Sequence, residues 1–232
     1  ASTRLVRMVS RWRRSWPCTK ACTAAAFSGE ADPAFAATSP SGEPPSSRVP
    51  IARPASTTEG ILELIAFVAK QMPLSALLDG VPHRLGHIFG ADIVSIYLAE
   101  GEGDGLVLRG NIGFRPEARG VIRLRVGEGL TGLAVKTMKP VVVVRATRHD
   151  AFRRFDELEE DRYPVFLATP IPGPEQKPLG ALVLQRKDKA FEESEVHLAM
   201  ALTAPVASAV RNAALLDDLR DKVQRKTGGG TR

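Results

Sequence analysis

Apolar residues recur along the chain with two different periods, and the changes of period mark the elements. Ile61, Leu62, Leu64, Ile65 and Val68 follow Glu59 at helical spacing up to Met72, where Pro73 stops the run. A second helix is predicted from Ser75 to Phe89, with Leu77, Leu78, Val81, Leu85 and Ile88 on its apolar stripe and Gly90 as its cap. The β-branched and aromatic run Ile93–Leu98 reads as a strand. Glu100 to Gly105 reads as a Gly-rich turn, and Leu106–Phe114 as the second strand of a hairpin. Val121–Val126 alternates apolar with basic residues, as a half-buried strand does. Gly127, Gly129 and Gly132 then open a short helix around Leu133–Thr137. Pro140 introduces a strand over Val141–Val144, which is too apolar for exposure on both faces. Residues 147–163 are polar, with Phe152, Phe155 and Leu158 marking one apolar side. Two strands follow, Val165–Ile171 and Leu179–Gln185, joined by a Pro/Gly turn. A long helix over Glu192–Lys226 completes the pattern, capped by Ser194 or an earlier acid and ended by Gly228–Gly230.

Strands that come in consecutive runs joined by short turns predict a mainly antiparallel sheet with helices on its faces. The fold class is therefore α+β, an α/β sandwich with a sheet of about six strands. Residues 59–215 form the expected domain, large enough for its own core. Residues 216–232 are a helical connector and end, and residues 1–58 a separate tail.

Charge sharpens that division. The net charge is +6, but residues 1–58 hold 8 Lys and Arg against 3 Asp and Glu, so the domain itself is nearly neutral. The tail also carries Trp12, Trp16, Cys18 and Cys22, and from Gly29 to Thr58 it is rich in Pro, Ser and Ala without an apolar period. Such a composition predicts disorder. Its first 20 or so residues are Arg-rich and free of acids, which fits a transit peptide, an arm for nucleic acid or anionic membrane, or a tail without a role. A nucleic-acid regulator acting through this tail stays as an alternative, although the neutral domain argues against it. No uninterrupted run of about 18 apolar residues occurs, so no membrane partner is expected.

The chemistry-bearing motifs are few. Gly127-Glu-Gly-Leu-Thr-Gly132 lacks the Lys-Ser/Thr that completes a phosphate loop, and a tight strand-to-helix turn explains its glycines. His83 and His87 lie four apart on the second helix, without a Glu between them in the zincin arrangement and without an evident third ligand. The acidic run Asp156–Asp161 reads as a solvated face. There is no Gly-x-Ser-x-Gly elbow, and residues 59–232 contain no cysteine. No enzyme, metal or cofactor is expected. Along the last helix Leu202, Val206, Ala209, Ala213, Leu216 and Val223 follow a heptad-like pattern interrupted at Arg220. One face of its first half is expected to pack on the sheet, and its second half to serve as connector or dimer seam.

Three segments carry a resemblance. Arg125-Val-Gly-Glu-Gly-Leu-Thr-Gly-Leu-Ala134 resembles the Gly-x-Gly-Leu-x-Gly turn of GAF sensory domains. Pro164-Val-Phe-Leu-Ala-Thr-Pro-Ile171 resembles their hydrophobic strand ending in Pro-Ile. Leu179-Gly-Ala-Leu-Val-Leu-Gln-Arg186, followed by Phe191, Glu195 and Leu198, resembles their last strand and closing helix. Within that superfamily the chain is similar to the N-terminal GAF domain of the nitrogen-related phosphotransferase-system enzyme I. Ala91–Leu98, Gly113–Glu117 with Val121–Leu124, and Leu182–Gln185 with Phe191 carry this likeness.

The resemblance implies a GAF-like sheet with the N- and C-terminal helices on one face and a ligand pocket on the other, covered by residues 145–163. It implies a cytoplasmic regulatory sensor for an amino acid or 2-oxo acid, with glutamine and 2-oxoglutarate the usual candidates. It also implies a homodimer through the terminal helices. Phe114, Thr131, Arg145, Phe155 and Thr169 are the expected pocket residues, with Arg145 for a carboxylate and Phe155 for an apolar part. The phosphotransfer histidine of that family is expected to lie outside this chain, which ends at Gly-Gly-Gly-Thr-Arg232. Bilin-binding and methionine-sulfoxide-reducing members use cysteines that the domain lacks. Phe155-Asp156-Glu157 imitates only part of the cyclic-nucleotide signature. A ligand-free dimerisation module is the remaining alternative.

Overall fold

The computed structural model describes residues 56–100, 104–155, 160–174 and 177–227. The expectations for the basic tail, for residues 156–159 of the acidic run and for the closing glycines lie outside these residues. The elements are α1 (Thr57–Val68), α2 (Leu74–Phe89), β1 (Ile93–Glu100), β2 (Gly105–Ile112), β3 (Arg123–Arg125), α3 (Gly129–Thr137), β4 (Val141–Val143), β5 (Val165–Pro172), β6 (Pro178–Arg186) and α4 (Glu193–Thr227). The strands make one six-stranded sheet in the order β3-β2-β1-β6-β5-β4, and every pairing is antiparallel.

Alternation along the strands sends side chains to two faces. Val94, Ile96 and Leu98 of β1 join Leu182 and Leu184 of β6 in a core shared with α1, α2 and α4. Tyr97 and Ala99 join Leu106, Leu108, Ala181 and Val183 in a second core, which α3 and the loop segments cover. The terminal helices thus occupy one face, as expected.

Local chemistry sets the boundaries. The hydroxyl of Ser56 accepts from the Glu59 amide at 3.2 Å and caps α1. The helix ends at Val68 rather than Met72, so it stops before the residue whose helical backbone Pro73 disfavours. Pro73 is itself extended, and the Leu74 amide that opens α2 donates to Asp217 Oδ2 of α4 at 3.0 Å. A carboxylate at a helix N-terminus is favourable, so α4 still holds the domain two residues beyond the expected boundary at 215. Pro82 lies inside α2 and withholds a donor from Leu78. The Leu78 carbonyl instead abuts Gly110 of β2, where a Cβ would come within 2.5 Å of it.

Other elements also differ in length from the sequence expectation. The strand expected over Val121–Val126 shortens to Arg123–Arg125, at one edge of the sheet, with only Leu124 buried among its three residues. The short helix α3 begins at Gly129, four residues early, because the glycine turn feeds directly into it. At the other edge β4 covers Val141 and Val143 against the second face and leaves Val142 exposed.

The heptad-like positions Leu202, Val206, Ala209 and Ala213 belong to the helix-side core, as expected for the first half of this helix. By length and composition α4 is able to cross a membrane, although it holds no uninterrupted run of about 18 apolar residues. Half of its most apolar stretch is buried inside the domain, as in the core helix of a globular protein.

Candidate functional site

The second face of the sheet is the candidate site. Its floor is β1, β2, β5 and β6, and its roof is α3 with the segments on either side of it. The turn into α3 is tightly built. Gly127 (φ 91°) and Gly129 (φ 66°) hold backbone angles that favour glycine, and the Gly127 amide donates to the Gly132 carbonyl at 2.8 Å. A Cβ on Gly132 would stand 2.3 Å from the Arg125 carbonyl. The glycines therefore make a turn, and the helix start they frame is crossed by protein: Arg153 pairs with Glu128, the residue preceding the helix.

Residues 145–155 are stitched down at several points. The Ala146 amide donates to the Pro164 carbonyl at 2.9 Å and closes the base of the insert. The Phe152 amide donates to the His149 carbonyl at 2.8 Å, and the Ala151 amide to His149 Nδ1 at 3.1 Å. Arg154 pairs with Asp161. Phe152 and Phe155 pack half-buried against the second face, and the Arg153 guanidinium lies 5.1 Å from the Phe155 ring centroid.

The five expected site residues divide. Phe114 and Phe155 both pack on the second-face core. Thr131 is buried on α3, between residues of that helix that belong to the same core. Arg145 is exposed and contributes its carbonyl, which accepts from the Arg148 amide at 3.0 Å. Thr169 is a correction. It pairs with Leu182, whose side chain lies in the helix-side core, and it alternates in step with Val165, Leu167 and Ile171 of that core. Thr169 therefore points under the helices, away from the second-face core on which Phe114 and Phe155 pack. Sequence reasoning missed Ser95, Asn111 and Gln185, three buried polar residues in strands. Their signal was a polar side chain interrupting an otherwise apolar strand, as Ser95 does in Ile93–Leu98. Among the described residues no group of three or more His, Cys, Asp or Glu is placed to hold a metal ion.

Comparison with known proteins decides the family. The profile of the GAF domain matches residues 73–210, more than half of the chain. The chain belongs to the GAF domain family. The GAF domain of a phosphoenolpyruvate-protein phosphotransferase (ptsP) from Coxiella burnetii is 26% identical, with a TM-score of 0.65 over 72% of this chain and 99% of that one. The corresponding Acinetobacter GAF domain is 23% identical, with a TM-score of 0.61 over 70% and 97%. The free methionine-R-sulfoxide reductase of Neisseria meningitidis shares the fold at 20% identity, with a TM-score of 0.60 over 72% and 95%. A curated relative from Escherichia coli K12, described as "Phosphoenolpyruvate-dependent phosphotransferase system", is 25% identical over 63% of this chain. This GAF domain chain spans only 20% of that relative's length.

Proposed function

We propose that this GAF domain is a cytoplasmic regulatory module that binds a small effector on the second face of its sheet and reports it through α4. The effector class is an amino acid or 2-oxo acid tied to nitrogen status, by the likeness to phosphotransferase-system GAF domains. The observation that carries the reading is the face itself, where buried polar side chains and half-buried aromatics lie beneath an insert stapled by Arg153 to Glu128. The reading is non-enzymatic. The reductase likeness supports the fold alone, and residues 59–232 offer no thiol for reductase chemistry. The test is a melting screen of the full chain against glutamine, 2-oxoglutarate, other amino acids and cyclic nucleotides. A ligand at about 100 times its Kd adds about 2.7 kcal/mol, or about 5–10 °C for a domain of this size. Stabilisation by glutamine or 2-oxoglutarate supports the reading, and silence across the whole panel rejects it.

A second reading, a dimerisation module, has its own observation. Leu215, Leu219 and Val223 are 47%, 55% and 60% exposed at four-residue spacing on α4, and Leu62 and Ile65 are exposed on α1. A seam of this kind joins two copies through their terminal helices, and it is compatible with sensing. Leu219→Glu is expected to convert a dimer to a monomer in light scattering after size exclusion, with less than about 1 kcal/mol change in domain stability because the site is exposed. An unchanged mass would remove α4 from the interface.

A further inference from the structure

Helix α1 carries two apolar stripes. Ile61, Leu64, Phe67 and Val68 face the helix-side core. Leu62, Ile65, Ala66 and Ala69 repeat the same spacing on the outer side and are exposed, Leu62 at 64% and Ile65 at 41%. A helix that is apolar on both sides is ordinarily covered on both. The charges beside the outer stripe have one sign. Glu59 and Glu63 are exposed four residues apart, and the first basic residue after them is Lys70. Arg84 of α2, the cation whose field reaches Glu63, is committed to the Phe67 ring at 3.7 Å and to the Gly80 carbonyl at 3.0 Å.

A complementary segment lies in the N-terminal tail of the same chain. Leu5, Met8, Val9 and Trp12 are spaced three and four apart, and Arg4, Arg7 and Arg11 stand between them. No acid occurs before Glu30. Wound as a helix, this segment presents an apolar stripe edged by arginines, and Arg7 and Arg11 repeat the four-residue spacing of Glu59 and Glu63. The tether is long enough. Residues 14–55 separate the segment from Ser56, and a random chain of about 40 residues spans about 35 Å end to end, about twice the length of a helix of α1's size. Such a tether presents the segment at an effective concentration of the order of 1 mM, so a contact with a Kd of about 0.1 mM is formed about nine-tenths of the time. A second copy fits the face less well. A self-complementary contact through it brings the acids of both copies to one seam, and from Thr57 to Ala69 neither copy supplies a cation.

We infer that residues 4–12 dock on the outer face of α1, with their apolar stripe on Leu62 and Ile65 and their arginines beside Glu59 and Glu63. The contact is intramolecular. It covers part of the apolar surface that two copies would otherwise share, so the tail opposes self-association through α1. It leaves Leu215, Leu219 and Val223 of α4 open, and it does not depend on the effector.

The test uses the full chain and its own fluorescence. Trp12 and Trp16 are the only tryptophans, so Trp16→Phe makes Trp12 the sole emitter. Acrylamide is expected to quench Trp12 at least twofold less in this chain than in the same chain carrying Leu62→Lys and Glu63→Lys. Both positions are exposed, and an unchanged circular dichroism spectrum shows that the fold is kept. Leu62→Ser serves if the double variant does not fold. The shielding is expected to be the same at every protein concentration and to weaken in high salt. Equal quenching with and without the α1 substitutions overturns the inference. Shielding that disappears on dilution gives the face to a second copy and overturns it as well. A Trp12 shielded only after addition of phosphatidylglycerol–phosphatidylcholine vesicles places the segment on a lipid surface, with the same consequence.

Discussion

Arg186→Ala is expected to destabilise the domain by about 3 kcal/mol, the lower end of the cost of breaking a buried ion pair. The Arg186 side chain is 5% exposed, and that of its partner Glu195 is 21% exposed. The guanidinium joins three elements. It donates from Nη1 to Glu195 Oε2 at 3.2 Å, in the first turn of α4, and from Nη2 to the Phe89 carbonyl at the C-terminus of α2, where a cation is favoured. It also stacks 4.1 Å from the Phe191 ring centroid. Glu195 reaches back to the Glu192 amide at 2.8 Å, so the same carboxylate closes the start of α4. Urea unfolding measures the loss. Arg186→Met combined with Glu195→Met is expected to recover most of it, because the uncompensated charge is then gone.

The same pair sets a pH dependence. Burial alone would raise the Glu195 carboxyl, but the hydrogen bonds from Arg186 and the Glu192 amide, with the charges of Arg186 and Lys189, outweigh it and hold the group below its ordinary range. A depressed carboxylate contributes stability that is fully present above the unfolded value, about 4.3, and is lost as pH falls through the lower folded value. Native stability is therefore expected to fall in that acid window. The loss is expected to be smaller in Arg186→Ala, where burial no longer meets an opposing cation. Equal acid sensitivity in the two proteins would contradict this role for the pair.

Gly180→Ala is expected to be at least as damaging, at about 3 kcal/mol or more. Gly180 pairs with Leu98 in the central β1–β6 ladder, and a Cβ there would stand 1.9 Å from the Tyr97 carbonyl oxygen. Overpacking usually costs about 1–3 kcal/mol when side chains are able to shift. Here the obstacle is backbone in the middle of the sheet, and the strands must separate. Gly105→Ala is the control. Its nearest added contact is 3.7 Å, so a change of less than about 1 kcal/mol is expected. Thermal melting of the two variants side by side tests the contrast.

Much of this architecture is written in local patterns. The helical spacing of Leu77, Leu78, Val81, Leu85 and Ile88 specifies α2, and the run Ile93–Leu98 specifies β1, because each pattern has one period and a clear stop. The helix-side core follows from the same spacing. The ends are less legible where a distant residue decides them. The amide of Leu74 finds its carboxylate 143 residues away at Asp217, and no window of sequence contains both. The face that Thr169 takes is illegible for a related reason. A strand buried on both faces reads as a continuous apolar run, so its sequence does not say which face a given residue takes. The register with Leu182 does. Ser95, Asn111 and Gln185 are separated by up to 90 positions and become a patch only when β2, β1 and β6 lie side by side.

Gln185 and Arg186 are consecutive on β6 and face opposite ways, one toward the second face and the other into the pair with Glu195 on α4. Under the function proposed above, an effector bound on the second face acts on a strand already fastened to α4, which would link ligand binding to helix position. Hydrogen–deuterium exchange of the full chain, with and without the effector identified by melting, tests this most directly. The account predicts slowed exchange in residues 146–155 and around Ser95 and Gln185, accompanied by a change in the first turns of α4. Slowing confined to the exposed faces of α1 and α4, with residues 146–155 unchanged, would contradict it.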